Sequence, residues 1–151
     1  MSTSYNDIYS LFLDKVNDYE IDKLIDDGET DTVDAMQLSY LKSSIVKFYR
    51  YCKNDLTDRN DTTLVFTNTL TLEEQEILAI GMIIAWLQPH INRLQLLKQV
   101  VGSEFKLSSQ ANQLKELRQL KESVKKDLDE MITEYGYNYY SSDTLKTLLN
   151  D

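Results

Sequence analysis

The chain has 151 residues, 42% apolar and 27% charged, with one proline and four glycines. A chain of this length buries roughly two thirds of its unfolded surface, so a self-sufficient single core is expected, and the scarcity of turn residues excludes sandwiches and barrels. Sixteen basic against twenty-five acidic residues give a formal charge of −9, the wrong sign for a protein held to phosphates by counterion release.

Ser4 followed by Asp7 reads as an N-cap pair, and Ile8, Leu11, Phe12 and Val16 recur on one helical face, predicting a first helix from Tyr5 to about Val16. An acidic stretch follows, from Asp18 to Asp34, opposed only by Lys23. Such runs are solvated faces and loops; within this one Ile21, Leu24 and Ile25 anchor a short helical turn that Gly28 stops. Leu38, Leu41, Ile45, Phe48, Tyr49 and Cys52 share a stripe, so a second long helix is expected from Thr32 or Val33 to Cys52. From Asn54 to Thr71 the chain is polar except for Leu64, Val65 and Phe66, which read as either a short strand or a loop plug.

Thr71 to Glu74 match a capping box, the clearest helix start in the chain. The run from Ile77 to Leu87 is apolar on nearly every side, as in a central helix contacted all round, and by itself is too short for a bilayer. Pro89 removes a backbone donor and crowds the preceding turn; periodicity resumes at Ile91, Leu94, Leu97 and Val101, predicting a bent helix ending near Gly102. The last helix is the longest. Leu114, Leu117, Leu120, Val124, Leu128, Met131 and Tyr135 step by three or four from about Ser109 to Tyr135, roughly 40 Å at 1.5 Å per residue. That exceeds what a compact domain of this size needs, so the helix is expected to protrude or to pack against neighbours; in a ring of subunits this stripe would meet the next copy and stay partly exposed in an isolated chain. The helix is basic first and acidic last, against its own macrodipole. A tail, Gly136 to Asp151, carries Tyr137, Tyr139, Tyr140, Leu145, Leu148 and Leu149. It reads equally as a docking arm, since tyrosine offers rigid apolar area with a polar handle, and as a segment folded back on the base of the long helix. The expectation is an all-α bundle of about four helices over residues 1–135, with a tyrosine-rich tail over 136–151.

Chemistry is sparse. Cys52 is the only cysteine and His90 the only histidine, so no internal disulfide and no Cys/His zinc spacing exist. Asp55, Asp58, Asn60 and Asp61 lack the register and closing glutamate of a calcium loop. His90 and Cys52 have no nucleophile motif beside them and read as structural, and no glycine-rich phosphate loop is present. No enzyme activity, cofactor or metal is expected. Met1 to Glu20 has acids where a signal peptide needs positive charge, and a cytoplasmic site of synthesis is expected.

Tyr5-Asn6-Asp7-Ile8-Tyr9 with Phe12-Leu13, Leu41 to Phe48, Leu70 to Pro89 with its W-L-x-P end at Trp86, and the S-Q-A-N opening at Ser109 to Asn112 together resemble head–tail connector (adaptor, neck) proteins of tailed bacteriophages of Gram-positive hosts. The resemblance covers most of Tyr5 to Tyr135. It implies a non-catalytic helical structural protein of the virion neck, assembled in the host cytoplasm into a cyclic homo-oligomer of commonly twelve subunits. Its partners would be itself, the portal protein and a tail-side neck or stopper protein, with DNA passing through the lumen, no specific nucleic-acid binding and no membrane. The tail from Tyr137 to Leu149 would dock on the portal. The chain lacks the aromatic-acidic-arginine helix end of the better-known adaptors, which leaves another neck or tail-completion role open. The alternative from the residues alone is a helical regulatory or chaperone-like binding module.

Overall fold

A computed structural model of the chain describes residues 1–101 and 108–141. The fold is all-α apart from a small sheet. The helices are α1 (Tyr5–Lys15), α2 (Tyr19–Asp26), α3 (Thr30–Phe48), α4 (Leu72–Val101) and α5 (Ser108–Gly136), with one π-helical turn at Tyr137–Ser141.

Helix α1 starts where the Ser4 hydroxyl accepts the Asn6 N–H, and it buries Tyr5, Ile8, Tyr9 and Phe12, the i, i+3, i+4, i+7 pattern of one face. Asp18 caps α2 by accepting the Glu20 and Ile21 N–H groups, and Gly28 ends the turn at φ +80°, where a β-carbon would be strained. Helix α3 begins slightly earlier than expected and ends at Phe48 rather than Cys52. The Tyr51 and Cys52 N–H groups both return to the Phe48 carbonyl, and the chain leaves the helix axis there.

The segment between α3 and α4 is both a strand and a plug. Strands β1 (Thr3–Ser4), β2 (Arg59–Asn60) and β3 (Val65–Phe66) form an antiparallel sheet in the order β1-β3-β2, with Phe66 opposite both Thr3 and Arg59. Phe66 is fully buried, its ring 4.8 Å from that of Tyr5. The buried Thr3 hydroxyl donates to the Asn68 carbonyl and accepts the Leu70 N–H, which fixes the chain just ahead of α4.

The capping box forms as written: Thr71 Oγ1 accepts the Glu74 N–H and Glu74 Oε1 accepts the Thr71 N–H. Helix α4 then runs unbroken through Pro89. It is therefore much longer than the Ile77–Leu87 run, and from Leu72 to Leu97 it is apolar and long enough to cross a membrane by length and composition. Its apolar side is used within the fold, because Ile77, Leu78, Ala79, Met82 and Leu87 are fully buried among α1, α3 and α5. Gly81 is the closest approach in the core: a β-carbon there would collide with the Ser44 side chain of α3, whose hydroxyl donates to the Leu78 carbonyl.

Helix α5 returns antiparallel to α4. Glu74 meets Tyr135 near one end and Gln88 meets Lys121 further along, the same number of residues along each helix in opposite directions. The continuous core cluster draws on α4 as far as Ile84 and on α5 only at Leu128 and Tyr135, with Val124, Met131 and Ile132 packed against it. Further out, Ile91 and Leu114 are buried but lie outside that cluster. The distal halves of α4 and α5 thus form a two-helix arm extending from the bundle.

Candidate functional site

Among the described residues, three groups of side chains stand out for their chemistry. The first is a buried polar latch that ties α3, α4 and α5 together. Glu74, 1% exposed, accepts from Thr71 N and Asn54 Nδ2 on Oε1, at 2.8 and 2.7 Å. Its Oε2 accepts from the Tyr135 hydroxyl and the Cys52 thiol, each at 2.9 Å. Tyr135 Oη in turn accepts the Lys53 N–H at 2.8 Å, which explains why α3 stops short of Cys52: the chain must turn inward to bring Cys52 and Lys53 to Tyr135. Burial alone would raise the Glu74 pKa, but the hydrogen bonds from Cys52, Thr71, Tyr135 and Asn54 outweigh it and the carboxyl is held below its ordinary value. Burial first, and then the adjacent Glu74 carboxylate, push the Cys52 thiol up to about 12. It is a protonated donor at neutral pH, the opposite of an activated nucleophile.

The second group lies where α2 meets α4. Asp18 Oδ2 accepts the Trp86 indole N–H at 2.6 Å and lies 3.9 Å from His90 Nε2, while the His90 ring stands edge-on to Trp86 with centroids 5.1 Å apart. One nine-tenths-buried carboxylate therefore caps a helix and orients the only tryptophan. The His90 ring meets the Asp18 carboxylate and the Trp86 indole, neither of them a nucleophile for it to activate. The acidic residues between α3 and α4 are spent locally. Asp55 accepts from Thr57, Asp58 from Thr67, Asn60 from the Thr62 and Thr63 N–H groups, and Asp61 from Tyr5 and Arg59. Among the described residues no group of three or more His, Cys, Asp or Glu is placed to share a metal ion.

The third group is the surface of the α4–α5 arm. The long stripe expected to meet a neighbouring subunit divides. Leu114, Leu128 and Tyr135 are 4%, 2% and 0% exposed, so these three face their own chain and cannot form an interface between subunits. Leu117, Val124 and Met131 are half-buried, and Leu120 stands 46% exposed. The reason is geometric: the centre of the stripe is the seam with α4, and only its margins reach solvent. Two leucines that sequence periodicity assigned to a buried stripe or passed over, Leu97 and Leu96, are 40% and 60% exposed.

The tail is described only at its start. Tyr139 folds back, its ring 4.6 Å from Tyr135 and under the Lys53 ammonium at 5.5 Å, whereas Tyr137 projects at 73% exposure. The Tyr140 side chain and Leu145, Leu148 and Leu149 lie outside the described residues. Two grooves flank the meeting of α3 and α5. One, of about 580 Å³, has Tyr51, Leu128, Ile132 and Tyr137 on its walls. The other, of about 430 Å³, lies over α4 at Ala85 and Pro89 and carries Lys47, Lys121 and Lys125 with no carboxylate. Sequence reasoning missed this basic groove because its lysines come from two helices far apart in the chain, Lys47 on one and Lys121 and Lys125 on the other. Comparison of the chain with protein-family models, with curated proteins and with solved structures gives no match.

Proposed function

We propose that this chain is a structural protein of a tailed-phage virion, a head–tail connector (adaptor) whose copies assemble into a ring between portal and tail. The observation that carries this reading is the α4–α5 arm. Beyond the contacts of His90 and Arg93 with α2, the paired helices bury a narrow seam, here Ile91 and Leu114, and leave Leu96, Leu97 and Leu120 in water. A subunit that completes such an arm against its neighbours gains the burial it lacks alone, at about 25 cal/mol per Å² of apolar surface. The resemblance of Tyr5–Tyr135 to connector proteins, the acidic exterior and a chemistry confined to internal latches point the same way. A negatively charged lumen lets DNA slide without adhering, and the tail beyond Tyr137 is the portal-docking segment.

The test is to mix the purified protein with the portal protein encoded in the same genome and look by negative-stain microscopy for an added layer beneath the portal ring. A new layer, lost when the chain is cut after Gly136, supports both the connector role and the docking tail. An intact portal with no added layer sinks the proposal and favours a helical binding module or a neck component further from the portal.

A further inference from the structure

Helices α3 and α5 both lie antiparallel to α4. Cys52, just past α3, and Tyr135, at the end of α5, meet Glu74 near the start of α4, while Ser44 and Lys121, earlier on each helix, meet Leu78 and Gln88 further along it. The two helices therefore run parallel to each other, and each packs extensively on α4. They touch through the rings of Phe48 and Tyr135, 5.2 Å apart, and beside that contact lies the groove of about 580 Å³. Its apolar lining is buried Leu128 and half-buried Ile132, and Tyr51 and Tyr137 stand 53% and 73% exposed on its walls. Two parallel helices over a third leave room for a fourth, as in a four-helix bundle, and an apolar cleft with aromatic walls suits the apolar face of a helix. From Lys125 to Gly136 the α5 side of the groove is about 16 Å long.

We infer that this groove is the seat of the chain's own C-terminal segment, with Leu145, Leu148 and Leu149 laid against Leu128 and Ile132 between the Tyr51 and Tyr137 rings. Length and position argue for this occupant. The π-helical turn Tyr137–Ser141 starts on the groove's wall, and the contacts of Tyr139 with Tyr135 and Lys53 keep the chain leaving α5 beside the segment that follows α3. Residues 142–151 come next; as a helix they cover about 15 Å, the length of the groove. Leu145, Leu148 and Leu149 fall at i, i+3 and i+4, which is one apolar face. A segment tethered this close competes for the groove at an effective concentration of about millimolar, ahead of a free partner. The inference concerns the chain before assembly and goes beyond the connector reading: the segment that docks on the portal in that reading is first held against its own subunit.

The experiment uses the full chain, without portal, and trypsin as the probe. Lys146 is the only lysine or arginine after Lys126, so release of residues 147–151, followed by mass spectrometry, reads whether the segment is covered. Wild type is compared with Tyr51→Ala plus Tyr137→Ala, which removes the aromatic walls, and with Thr133→Arg, which puts a long side chain into the groove. All three positions are exposed, and circular dichroism confirms that the variants fold. Wild type should lose the fragment at least about tenfold more slowly than either variant, because cleavage follows the population of the undocked segment, and its rate should not change on dilution. Equal rates in wild type and the folded variants would overturn the inference. Protection that fades on dilution would place the segment on a second copy and overturn the intramolecular seat. Either failure leaves the connector reading standing, since that reading is decided by the added layer beneath the portal.

Discussion

Replacing Tyr135 by phenylalanine tests whether the buried latch holds the C-terminal end of α5 to the bundle. The ring keeps its packing, edge-on to Phe48 at 5.2 Å and tilted against Tyr139 at 4.6 Å, so no cavity forms. One oxygen disappears, and with it the bond donated to Glu74 and the bond accepted from the Lys53 N–H. A hydrogen bond to a buried charged group contributes about 1.5–3 kcal/mol and a neutral one about 1 kcal/mol, so the expected loss is about 2–4 kcal/mol. With a urea m-value of about 2 kcal/mol/M, the midpoint falls by about 1–2 M. The effect also depends on pH with a fixed sign. Because the folded-state pKa of Glu74 lies below the ordinary 4.5, its stabilisation is complete above that value and is lost as pH falls through the folded pKa. The gap between wild type and variant should therefore be widest near neutrality and close in acid. A midpoint shift under about 0.3 M at neutral pH, or a gap that widens in acid, would refute the assignment of Glu74 and Tyr135 as a stabilising pair.

Gly81→Ala drives a β-carbon into the Ser44 side chain and should cost about 1–3 kcal/mol by overpacking; a thermal melt coincident with wild type would show that α3 and α4 separate freely there. Asp18→Ala removes the α2 cap, worth about 1 kcal/mol, and strips the indole N–H of Trp86 of its acceptor; the single tryptophan's emission should shift, and an unchanged spectrum would place the indole elsewhere. Cys52, with its thiol pushed up to about 12, should react with a thiol reagent at pH 8 at least about 100-fold more slowly in the folded chain than in denaturant. Equal rates would mean that Glu74 does not hold the thiol proton.

Local signals were legible where one short segment decides the outcome. Thr71 and Glu74 satisfy each other's backbone groups within four residues, and Gly28 needs only its own φ. The Ile77–Leu87 run marked the central helix because a helix apolar all round has to be surrounded. Strand β1 was not legible, since two residues ahead of α1 have no period to read, and their pairing with Val65 and Phe66 comes from a segment more than sixty residues away. The stop of α3 at Phe48 was hidden for the same reason: Cys52 continues the apolar stripe, yet its thiol and the next N–H are claimed by Glu74 and Tyr135. The α5 stripe misled through a real ambiguity, because a seam with α4 and a seam with another subunit have the same period of three and four.

The charge order of α5 finds no relief in its placement. Basic residues early and acidic residues late work against the macrodipole, at about 0.3–1 kcal/mol for each badly placed end charge. The antiparallel neighbour does not relieve this, since the acidic end of α5 lies beside the start of α4, where Glu73, Glu74 and Glu76 already gather. Among the described residues the helix gains from this run the exposed i,i+4 pair Lys126–Glu130, and an exposed pair of that kind contributes little. Viewed across the helix, Glu116, Asp127 and Glu134 share one side without a basic residue, while Arg118, Lys121 and Lys125 on the other side alternate with Glu122 and Asp129.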